Sequence, residues 1–564
     1  MGEEVREGAA TRREWVGLGV LSLGLSMVVL DGTIVSVSLP VIIEDLGLGF
    51  TQAQWVNSVY SVVLAALLVT CGRLGDRLGR RRLFAVGVVL FVVGSVLAAS
   101  AGAAGSLIAA RVVQGLGGAC ILPGTLSTVN ATFRGRDRVM AFAVWGSVIS
   151  GMAAVGPLLG GWLTTSFTWP WIFLVNVPVG LLLLVGIFLF VPETRGEIRA
   201  PGLDVGGFLL SAAGFAVLVF ALIEGQTYGW WKPLKDLSLF GVVWPETAPV
   251  SAIPVLLALG LALLVFFCLW ERRRARTGRS ALLDLGLFGL PSFRWGNLAA
   301  FAVALGEFGL LFVLPLYLVN VLALSTLQSG LVLATMALGA FLAGGAAEGL
   351  VRRMGPPRIV TLGLAIEATA IVLVASVVTP HTSPWLLALL LAGYGIGLGL
   401  ASAQLTGTVL ADVRPADSGQ GSATQSTVRQ LGSALGAAVL GGLLSLSLGS
   451  TLPAALDDVP GLAPQAAAQA TEATRASAGG TIAQLRTDPP QGATDPDAVA
   501  DALADGFAAA TRTTLFAAAG CMLLGLAAAT RIPRGGRREA PGRAVSTGAA
   551  AHDDPPAAVG RGEQ

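Results

Sequence analysis

The strongest constraint on this sequence is a series of apolar runs that recurs along most of its length. Each run is about 20 residues long, enough for one α-helix to cross the hydrocarbon core of a bilayer. We identify fourteen runs, near residues 15–39, 55–71, 83–101, 107–133, 139–166, 171–191, 205–227, 250–270, 295–321, 328–350, 357–378, 384–411, 423–447 and 511–531. A chain with 54% hydrophobic and 12% charged residues does not match a soluble fold. The sequence therefore predicts an all-α integral membrane protein.

The basic residues are unevenly divided between the loops. If the N-terminus is cytoplasmic, the inner loops collect most of them, and the outer loops hold only Lys232, Lys235, Arg475 and Arg486. This bias follows the positive-inside rule, and removing one span would scramble every later loop. We therefore expect fourteen spans in the cytoplasmic (inner) membrane, with both termini in the cytoplasm. We do not expect the first run to be a cleaved signal peptide, because Asp31 interrupts it.

Several residue patterns needed for other chemistries are missing from the sequence. The only lysines, Lys232 and Lys235, do not follow a phosphate-binding loop, so we expect a transmembrane gradient rather than ATP as the energy source. The two histidines and four cysteines are isolated from one another along the chain. We therefore expect no metal site, no cofactor and no disulfide framework. We also expect no catalytic residues and no nucleic-acid partner.

A short basic segment lies between the second and third runs and reads Gly72-Arg-Leu-Gly-Asp-Arg-Leu-Gly-Arg-Arg-Arg82. Its glycines allow two helix ends to approach closely, its aspartate can pair across the turn, and its arginines hold the loop at the cytoplasmic surface. We interpret it as a hinge that gates a moving membrane protein. The residues expected to act in it are Gly72, Gly75, Asp76, Arg77, Gly79 and Arg80. A purely topological arginine cluster would explain the charge but not the glycine spacing.

A faint internal repeat divides the chain. Residues 345–355 again show a glycine, a carboxylate, paired arginines and a closing glycine. Two six-helix halves would then begin at the first and ninth spans, and such repeats enclose a midplane site in alternating-access transporters. The predicted regions are a cytoplasmic N-terminus at 1–13, the halves at 14–192 and 295–531, two linker helices at 204–270, an outer segment at 448–510 and a disordered cytoplasmic tail at 532–564. Weak hydrophobicity predicts that the outer segment is flexible, with short helices at 464–477 and 497–509.

Further motifs follow in a fixed order. They are Leu30-Asp-Gly-Thr-Ile-Val-Ser-Val-Ser-Leu-Pro40, Leu107-Ile-Ala-Ala-Arg-Val-Val-Gln-Gly115, the glycine-proline element within 151–161, Trp169-Pro-Trp-Ile-Phe-Leu-Val-Asn-Val-Pro-Val-Gly180 and Arg429-Gln-Leu-Gly-Ser-Ala-Leu-Gly436. Together with residues 72–82, they resemble the major facilitator superfamily, specifically its fourteen-span branch of drug:proton antiporters. The resemblance runs from about residue 14 to 531. It implies the major facilitator fold and the export of drugs or antibiotics, with no enzymatic activity.

Two acidic residues lie at comparable depth inside predicted spans, Asp31 in the first and Glu307 in the ninth. A carboxylate in hydrocarbon is costly unless it is paired, neutralised or hydrated, so each is a functional candidate. Asp31 and Arg111 both lie in the outer half of the membrane, where they can meet. We expect Asp31, Arg111 and Glu307 to couple transport to protons. The alternatives are a capping role for Asp31, a static ion pair for Arg111 and a neutral, hydrogen-bonded Glu307.

Other acidic residues rank lower in this interpretation. Glu367 is in the middle of the eleventh span, but the third helix of each half is usually peripheral in the resembled family. Glu224, Glu348 and Asp412 lie near helix ends, where an interfacial position is expected.

The fifth span contains Gly156 and Pro157, flanked by further glycines. Proline bends a helix, and glycine permits close contact with a facing helix. The resemblance implies that this element sets the packing of the two halves, and we expect both residues to take part in gating. A purely structural kink is the alternative.

The resemblance also implies the cargo and the mechanism. Amphiphilic, often cationic small molecules would exchange for protons across the lipid bilayer, carried by a monomer. Protonation of Asp31, together with Glu307, would release substrate outward, and deprotonation would restore a negatively lined pocket. An apolar, aromatic pocket is expected, lined by Trp55, Tyr60, Gln114, Trp145, Phe312, Tyr317, Gln404 and Gln425. A uniporter or importer of the same fold, or an exporter of an endogenous metabolite or lipid, is the alternative.

Overall fold

In the computed structural model the chain is almost entirely helical. The structure describes residues 10–133, 135–195, 204–239, 241–279, 281–414, 418–487 and 495–533. The helices in these ranges are α1 Arg12–Leu46, α2 Phe50–Leu78, α3 Arg80–Ala99, α4 Ala104–Thr132, α5 Gly135–Ser166, α6 Trp171–Leu174, α7 Asn176–Phe190, α8 Val205–Tyr228, α9 Ala252–Arg276, α10 Pro291–Asn320, α11 Thr326–Met354, α12 Pro356–Val377, α13 Pro384–Val409, α14 Ser418–Leu456, α15 Pro464–Ala476, α16 Gly480–Thr487 and α17 Pro496–Thr530. A 3₁₀ helix at Leu285–Gly289 precedes α10.

Within the described residues, thirteen helical stretches are long and apolar enough to cross a membrane, with α6 and α7 counted as one. The all-α membrane fold predicted from the apolar runs is thus confirmed. Helix α5 occupies the position of the remaining predicted run, although many of its side chains lie outside the described part of the chain. The count of fourteen spans and the cytoplasmic position of both termini stay predictions.

Local sequence signals explain where several helices begin. At the start of α1 the Thr11 hydroxyl accepts a hydrogen bond from the Glu14 amide, and the Glu14 carboxylate accepts one from the Thr11 amide at 2.7 Å. Ser325 and Gln328 form the same reciprocal cap on α11. Such caps satisfy backbone N–H groups that a helix leaves without internal partners.

The helices pack as two groups. Helices α1 to α7 contact one another, and α10 to α14 form the second group with α17. The groups meet mainly where α2 packs against α14 and α5 packs against α11. Helices α8 and α9 pack together, and α8 also contacts α2 and α14. Two helix pairs therefore carry most of the contact between the halves.

A buried aspartate ties the two linker helices together. Asp204 caps α8, and its carboxylate accepts a hydrogen bond from the indole N–H of Trp270 at 2.9 Å. Its second oxygen lies 2.9 Å from Arg274 Nε. Between these helices the chain forms a small antiparallel hairpin of β1 Leu237–Leu239 and β2 Val242–Trp244.

The outer segment differs from its prediction. Helix α14 continues to Leu456, α15 and α16 follow, and α17 includes the residues predicted as a separate helix at 497–509. The segment is held against the bundle because Asn320 Nδ2 donates to the Ala478 carbonyl at 2.9 Å and Ile482 is buried. The short helix predicted at 464–477 is present as α15, where many alanines favour helix, and flexibility of the segment stays a prediction. The tail predicted at 532–564 lies outside the described residues from position 534 onward.

Candidate functional site

A buried polar network surrounds Asp31 in the first half. The structure brings Asp31 Oδ2 into contact with Arg111 Nη1 of α4, and the two side chains are 0% and 1% exposed. Gln114 Nε2 donates to Asp31 Oδ1 at 2.9 Å, and Asn176 Nδ2 donates to the same oxygen at 3.3 Å. The carboxylate therefore has one ionic and two amide partners, which satisfies a buried charge.

The network extends into α2 and α3. The amide nitrogens of Gln114 and Asn176 also donate to Ser95 Oγ, at 2.9 and 3.2 Å. Arg111 lies over the Tyr60 ring, 4.5 Å from its centroid, and Arg111 Nε donates to the Val56 carbonyl at 3.3 Å. Five membrane-spanning segments thus contribute to one closed group of side chains.

Two residues predicted to line a substrate pocket belong to this network instead. Gln114 bridges Arg111, Asp31 and Ser95, and the Tyr60 hydroxyl donates to the Val28 carbonyl at 3.1 Å. The signal was present in the sequence, because residues three apart on a helix lie on the same face. Arg111 and Gln114 have that spacing.

Other predicted pocket residues also have structural contacts. Phe312 is fully buried and packs edge-on against Phe50, with ring centroids 5.8 Å apart. The Tyr317 hydroxyl donates to the Thr379 carbonyl at 2.6 Å. Phe312 thus lies where α10 meets the first half, and Tyr317 lies within the second half; both are buried, because an aromatic residue in a span packs equally well against neighbouring helices.

The remaining pocket residues have mixed positions. Trp55 Nε1 donates to Glu224 Oε1 at 2.8 Å, so Glu224 pairs with a neighbouring span. Gln425 Nε2 donates to Thr406 Oγ1 at 3.1 Å. Gln404 is half-buried. The side chain of Trp145 lies outside the described part of the structure.

Glu307 lies at the edge of a second acidic group. Its side chain is 6% exposed, and its Oε2 lies 4.0 Å from Nη2 of Arg429, which is 41% exposed. This pair joins α10 to α14 and is looser than the pair formed by Asp31. Glu307 is therefore the proposed coupling residue with the more accessible ionic partner.

Glu367, on the helix expected to be peripheral, has a buried side chain. It is fully buried, and a Cβ atom at Gly397 of α13 would lie 2.9 Å from Glu367 Cγ. Helix α12, which carries Glu367, packs against α13 and α17. These two helices cover the face of α12 that carries Glu367.

The predicted gating segment contains a helix–glycine–helix junction. Helix α2 continues to Leu78, and Gly79, with φ +112° and ψ +128°, connects it directly to α3. The predicted loop is thus mostly helix. Arg80 Nε and Nη2 donate to Asp76 Oδ1 at 2.9 and 2.8 Å, and Arg80 Nη1 donates to the Ser127 carbonyl of α4 at 3.0 Å.

The glycines of the gating segment allow α2 to pack closely against its neighbours. Gly72 faces Pro123 of α4, and a Cβ atom there would lie 3.4 Å from the proline Cβ. A Cβ atom at Gly75 would lie 3.3 Å from the Leu83 side chain. Arg77 lies in the last turn of α2. These contacts fix α2 against its two neighbours at the hinge.

Glu193, which the sequence did not single out, binds the start of α3 next to Gly79. Glu193, after α7, accepts a hydrogen bond from the Arg81 amide at 3.1 Å and lies 3.7 Å from Arg82 Nε. The next residue, Thr194, accepts one from the Arg80 amide at 3.0 Å. An acidic residue directly after an apolar run, opposite an arginine cluster on the same predicted side, was the available signal.

The second half has the same helix–glycine–helix junction in its backbone. Gly355, with φ +80°, connects α11 directly to α12, as Gly79 connects α2 to α3. The side chains of Glu348 and Arg352 lie outside the described residues. The faint sequence repeat therefore corresponds to a shared helix–glycine–helix geometry.

The glycines of α5 permit close packing on two sides. Gly156 packs against Thr33 of α1, and a Cβ atom at Gly160 would lie 2.9 Å from the Ile34 carbonyl oxygen. On the other side, a Cβ atom at Gly161 would lie 2.8 Å from the Thr326 carbonyl oxygen of α11. Helix α5 thus connects α1 to the opposite half.

The carbonyl group of Pro157 completes this interface. A Cβ atom at Gly330 of α11 would lie 2.5 Å from the Pro157 carbonyl oxygen. Such proximity leaves room only for glycine at that position without movement of the backbone.

An apolar cavity lies between α2, the linker helices and α14. Its walls include Ala65, Thr70, Phe215, Phe267, Thr424 and Leu431. This mixture of aliphatic and aromatic groups with a few hydroxyls suits an amphiphilic molecule. Among the described residues, no group of His, Cys, Asp and Glu side chains is arranged to hold a metal ion.

Comparisons with known proteins agree with this architecture. The sequence pattern of the Major Facilitator Superfamily matches residues 21–437. The multidrug efflux pump LfrA of Mycolicibacterium smegmatis is 34% identical over 82% of this chain and 86% of its own. The riboflavin transporter RibZ of Clostridioides difficile is 28% identical over 78% and 90%. A bacterial homologue of the lysosomal transporter Spinster, solved in an inward-facing conformation, shares the fold with a TM-score of 0.60 and 18% identity, over 93% of this chain and 98% of its own.

Proposed function

The chain belongs to the Major Facilitator Superfamily, and we propose that it exports amphiphilic, often cationic drugs or antibiotics in exchange for protons. It is a multi-pass transporter of the cytoplasmic membrane and not an enzyme. The similarity to the multidrug efflux pump LfrA supports export of drugs. Proton exchange is supported by the chain's own buried ionic groups.

The observation that carries the proposal is the buried contact between Asp31 and Arg111. Removing the charge of one partner in a buried pair leaves the other uncompensated, at a cost of about 3–5 kcal/mol. A proton on Asp31 would do this to Arg111. Protonation of Asp31 would therefore change the free energy of the pair enough to alter how α1 packs against α4.

A continuous set of contacts connects this pair to the opposite half. Thr33 and Ile34 follow Asp31 closely on α1 and pack against glycines of α5. On its other face α5 contacts α11 through Gly161 and Pro157. Because closely packed interfaces have discrete arrangements, a shift of α1 would be transmitted to the interface between halves.

The network modifies the mechanism predicted from the sequence. Asp31 is fully buried and paired with Arg111 in this conformation, so it does not contribute a free negative charge to a pocket. Glu307, whose partner Arg429 is accessible, is the better candidate for recognising cations. In our proposal Asp31 responds to protons and Glu307 responds to substrate charge.

The hinge would set the rate of the conformational cycle. Asp76, Arg80 and Glu193 connect α2, α3, α4 and the segment after α7. Movement between two access states must rearrange these contacts without involving the pocket. The charged groups thus bias the equilibrium between states.

Transport by the purified protein in liposomes tests the proposal. The probe is the lipophilic cation tetraphenylphosphonium, with a pH gradient imposed across the vesicle membrane. We expect the gradient to drive accumulation and a protonophore to abolish it, with no requirement for ATP. Accumulation that requires ATP and ignores the pH gradient would contradict proton antiport.

The similarity to the riboflavin transporter RibZ favours a second candidate, transport of an endogenous metabolite. Transport assays in the same vesicles distinguish drug export from metabolite transport. Uptake of riboflavin without transport of tetraphenylphosphonium or other drugs would support the metabolite alternative. Transport of several unrelated amphiphiles would support drug export.

A further inference from the structure

Four polar side chains lie on neighbouring helices of the second half, and their solvent exposure decreases from one to the next. Arg429 on α14 is 41% exposed, and Glu307 on α10 is 6% exposed. Glu367 on α12 and Tyr394 on α13 are fully buried. The group therefore extends from an accessible arginine to an inaccessible carboxyl group.

Glu367 and Tyr394 have no hydrogen-bond partners among the described residues. This holds for both carboxyl oxygens of Glu367 and for the hydroxyl of Tyr394. Glu367 packs against Gly397 of α13, and Tyr394 lies three residues before Gly397, on the same helix face. Two unsatisfied polar groups are thus placed on facing sides of the contact between α12 and α13.

The surroundings of Glu367 contrast with those of Asp31. Asp31 accepts two amide hydrogen bonds and contacts an arginine, whereas Glu367 has no such donor in the described structure. A buried carboxylate without a partner is strongly disfavoured, and a proton removes the charge. The charged groups acting on Glu367 are Glu307, which repels an anion, and Arg429.

We propose that Glu367 is a proton-binding site, separate from the site at Asp31. Proton binding converts the buried Glu367 carboxylate to a neutral carboxyl group, and proton release returns it to the anion. The ligand of this site is a proton, and its use in transport depends on the proposed antiport.

The position of the site explains what it adds. Glu307 communicates with the accessible Arg429, whereas Glu367 is shielded from it by burial. A proton stored on Glu367 would leave Glu307 free to pair with a cationic substrate or with Arg429. One half of the molecule would then respond to both substrate charge and protons.

The number of protons exchanged per substrate tests this inference. It is obtained in proteoliposomes from the pH gradient that just balances a known tetraphenylphosphonium gradient. We expect Glu367→Gln to transport one proton fewer per substrate than the wild type. The control Glu472→Gln changes an exposed carboxylate of α15, 72% exposed, and should leave the number unchanged. An unchanged number in Glu367→Gln would overturn the proposal.

Infrared spectroscopy of the purified protein in detergent tests the site without transport. Glu367→Gln should lose one C=O stretching band of a protonated carboxyl group, and Asp31→Asn should retain that band. In the wild type its intensity should change with pH. If no proton exchange accompanies transport but this band is present and titrates, the antiport proposal fails and the proton site stands. A spectrum unchanged by Glu367→Gln, or a band that never titrates, overturns the site.

Discussion

Arg111 Nη1 contacts Asp31 Oδ2 inside the first half, and the same nitrogen donates to Gln114 Oε1 at 2.8 Å. Gln114 in turn donates to Asp31 Oδ1. The three side chains form a closed triangle in which each member depends on the other two. Protonation of Asp31 cannot therefore occur without changing the partners of Arg111 and Gln114.

This triangle predicts strong energetic coupling between its charged members. Asp31→Asn and Arg111→Gln should each destabilise the purified protein by about 3–5 kcal/mol, because each leaves a buried charge uncompensated. The double variant should be less destabilised than the sum of the singles. The measurement is thermal or denaturant unfolding in detergent, analysed as a double-mutant cycle. Additive effects would show that the two side chains do not act as a pair.

The hinge predicts a defect in cycling rather than in binding. A Cβ atom at Gly79 would lie 2.6 Å from Glu193 Oε1, and its φ of +112° disfavours other residues. Gly79→Ala should retain tetraphenylphosphonium binding by the purified protein and slow its transport. Gly102→Ala is the control, since a Cβ atom there has no neighbour within 4 Å. Equal losses of binding and transport in Gly79→Ala would indicate a folding role.

The packing of α5 against α11 predicts how the halves separate. Gly330→Leu should push α11 away from the Pro157 carbonyl and shift the population towards states in which this interface is open. Distances between spin labels on α5 and α11 measure the shift. Gly393→Leu on α13, where a Cβ atom has no neighbour within 4 Å, is the control. Unchanged distances in Gly330→Leu would contradict a gating role for this contact.

Glu307 predicts selectivity by charge. If Glu307 recognises cations, Glu307→Gln should lower the transport of cationic compounds at least tenfold, a difference of about 1.4 kcal/mol, and spare neutral ones. Transport of a matched cationic and neutral pair in proteoliposomes checks this. Equal loss of both would indicate that Glu307 carries a proton instead of recognising substrate charge.

The sequence predicted the class of fold and the position of several functional groups. Apolar runs predicted the membrane helices, and depth along two spans predicted that Asp31 and Arg111 can meet, as they do in the structure. Glycine spacing in residues 72–82 predicted close approach of two helix ends, and Gly79 joins α2 directly to α3; the gating role of this segment stays a prediction. These features depend on local periodicity and length, which a single sequence displays directly.

Features that depend on packing between distant segments were harder to predict from the sequence. Gln114 was assigned to a pocket because its partners Asp31 and Ser95 are on other helices. Glu367 was ranked low because the third helix of each half is usually peripheral in the resembled family. Glu193 was missed because it lies over a hundred residues after its partner Arg81 in the sequence. A polar residue in a span indicates a partner but does not identify it.

Asp31→Asn is the most direct test of proton coupling through the buried pair. This variant keeps the size of the side chain but cannot ionise, so the central account predicts a separation of two activities. In proteoliposomes, exchange of labelled for unlabelled tetraphenylphosphonium should persist, because it requires no net proton movement. Accumulation against a gradient should be lost at any imposed pH difference. Full accumulation by Asp31→Asn, at the wild-type level, would contradict proton coupling at Asp31.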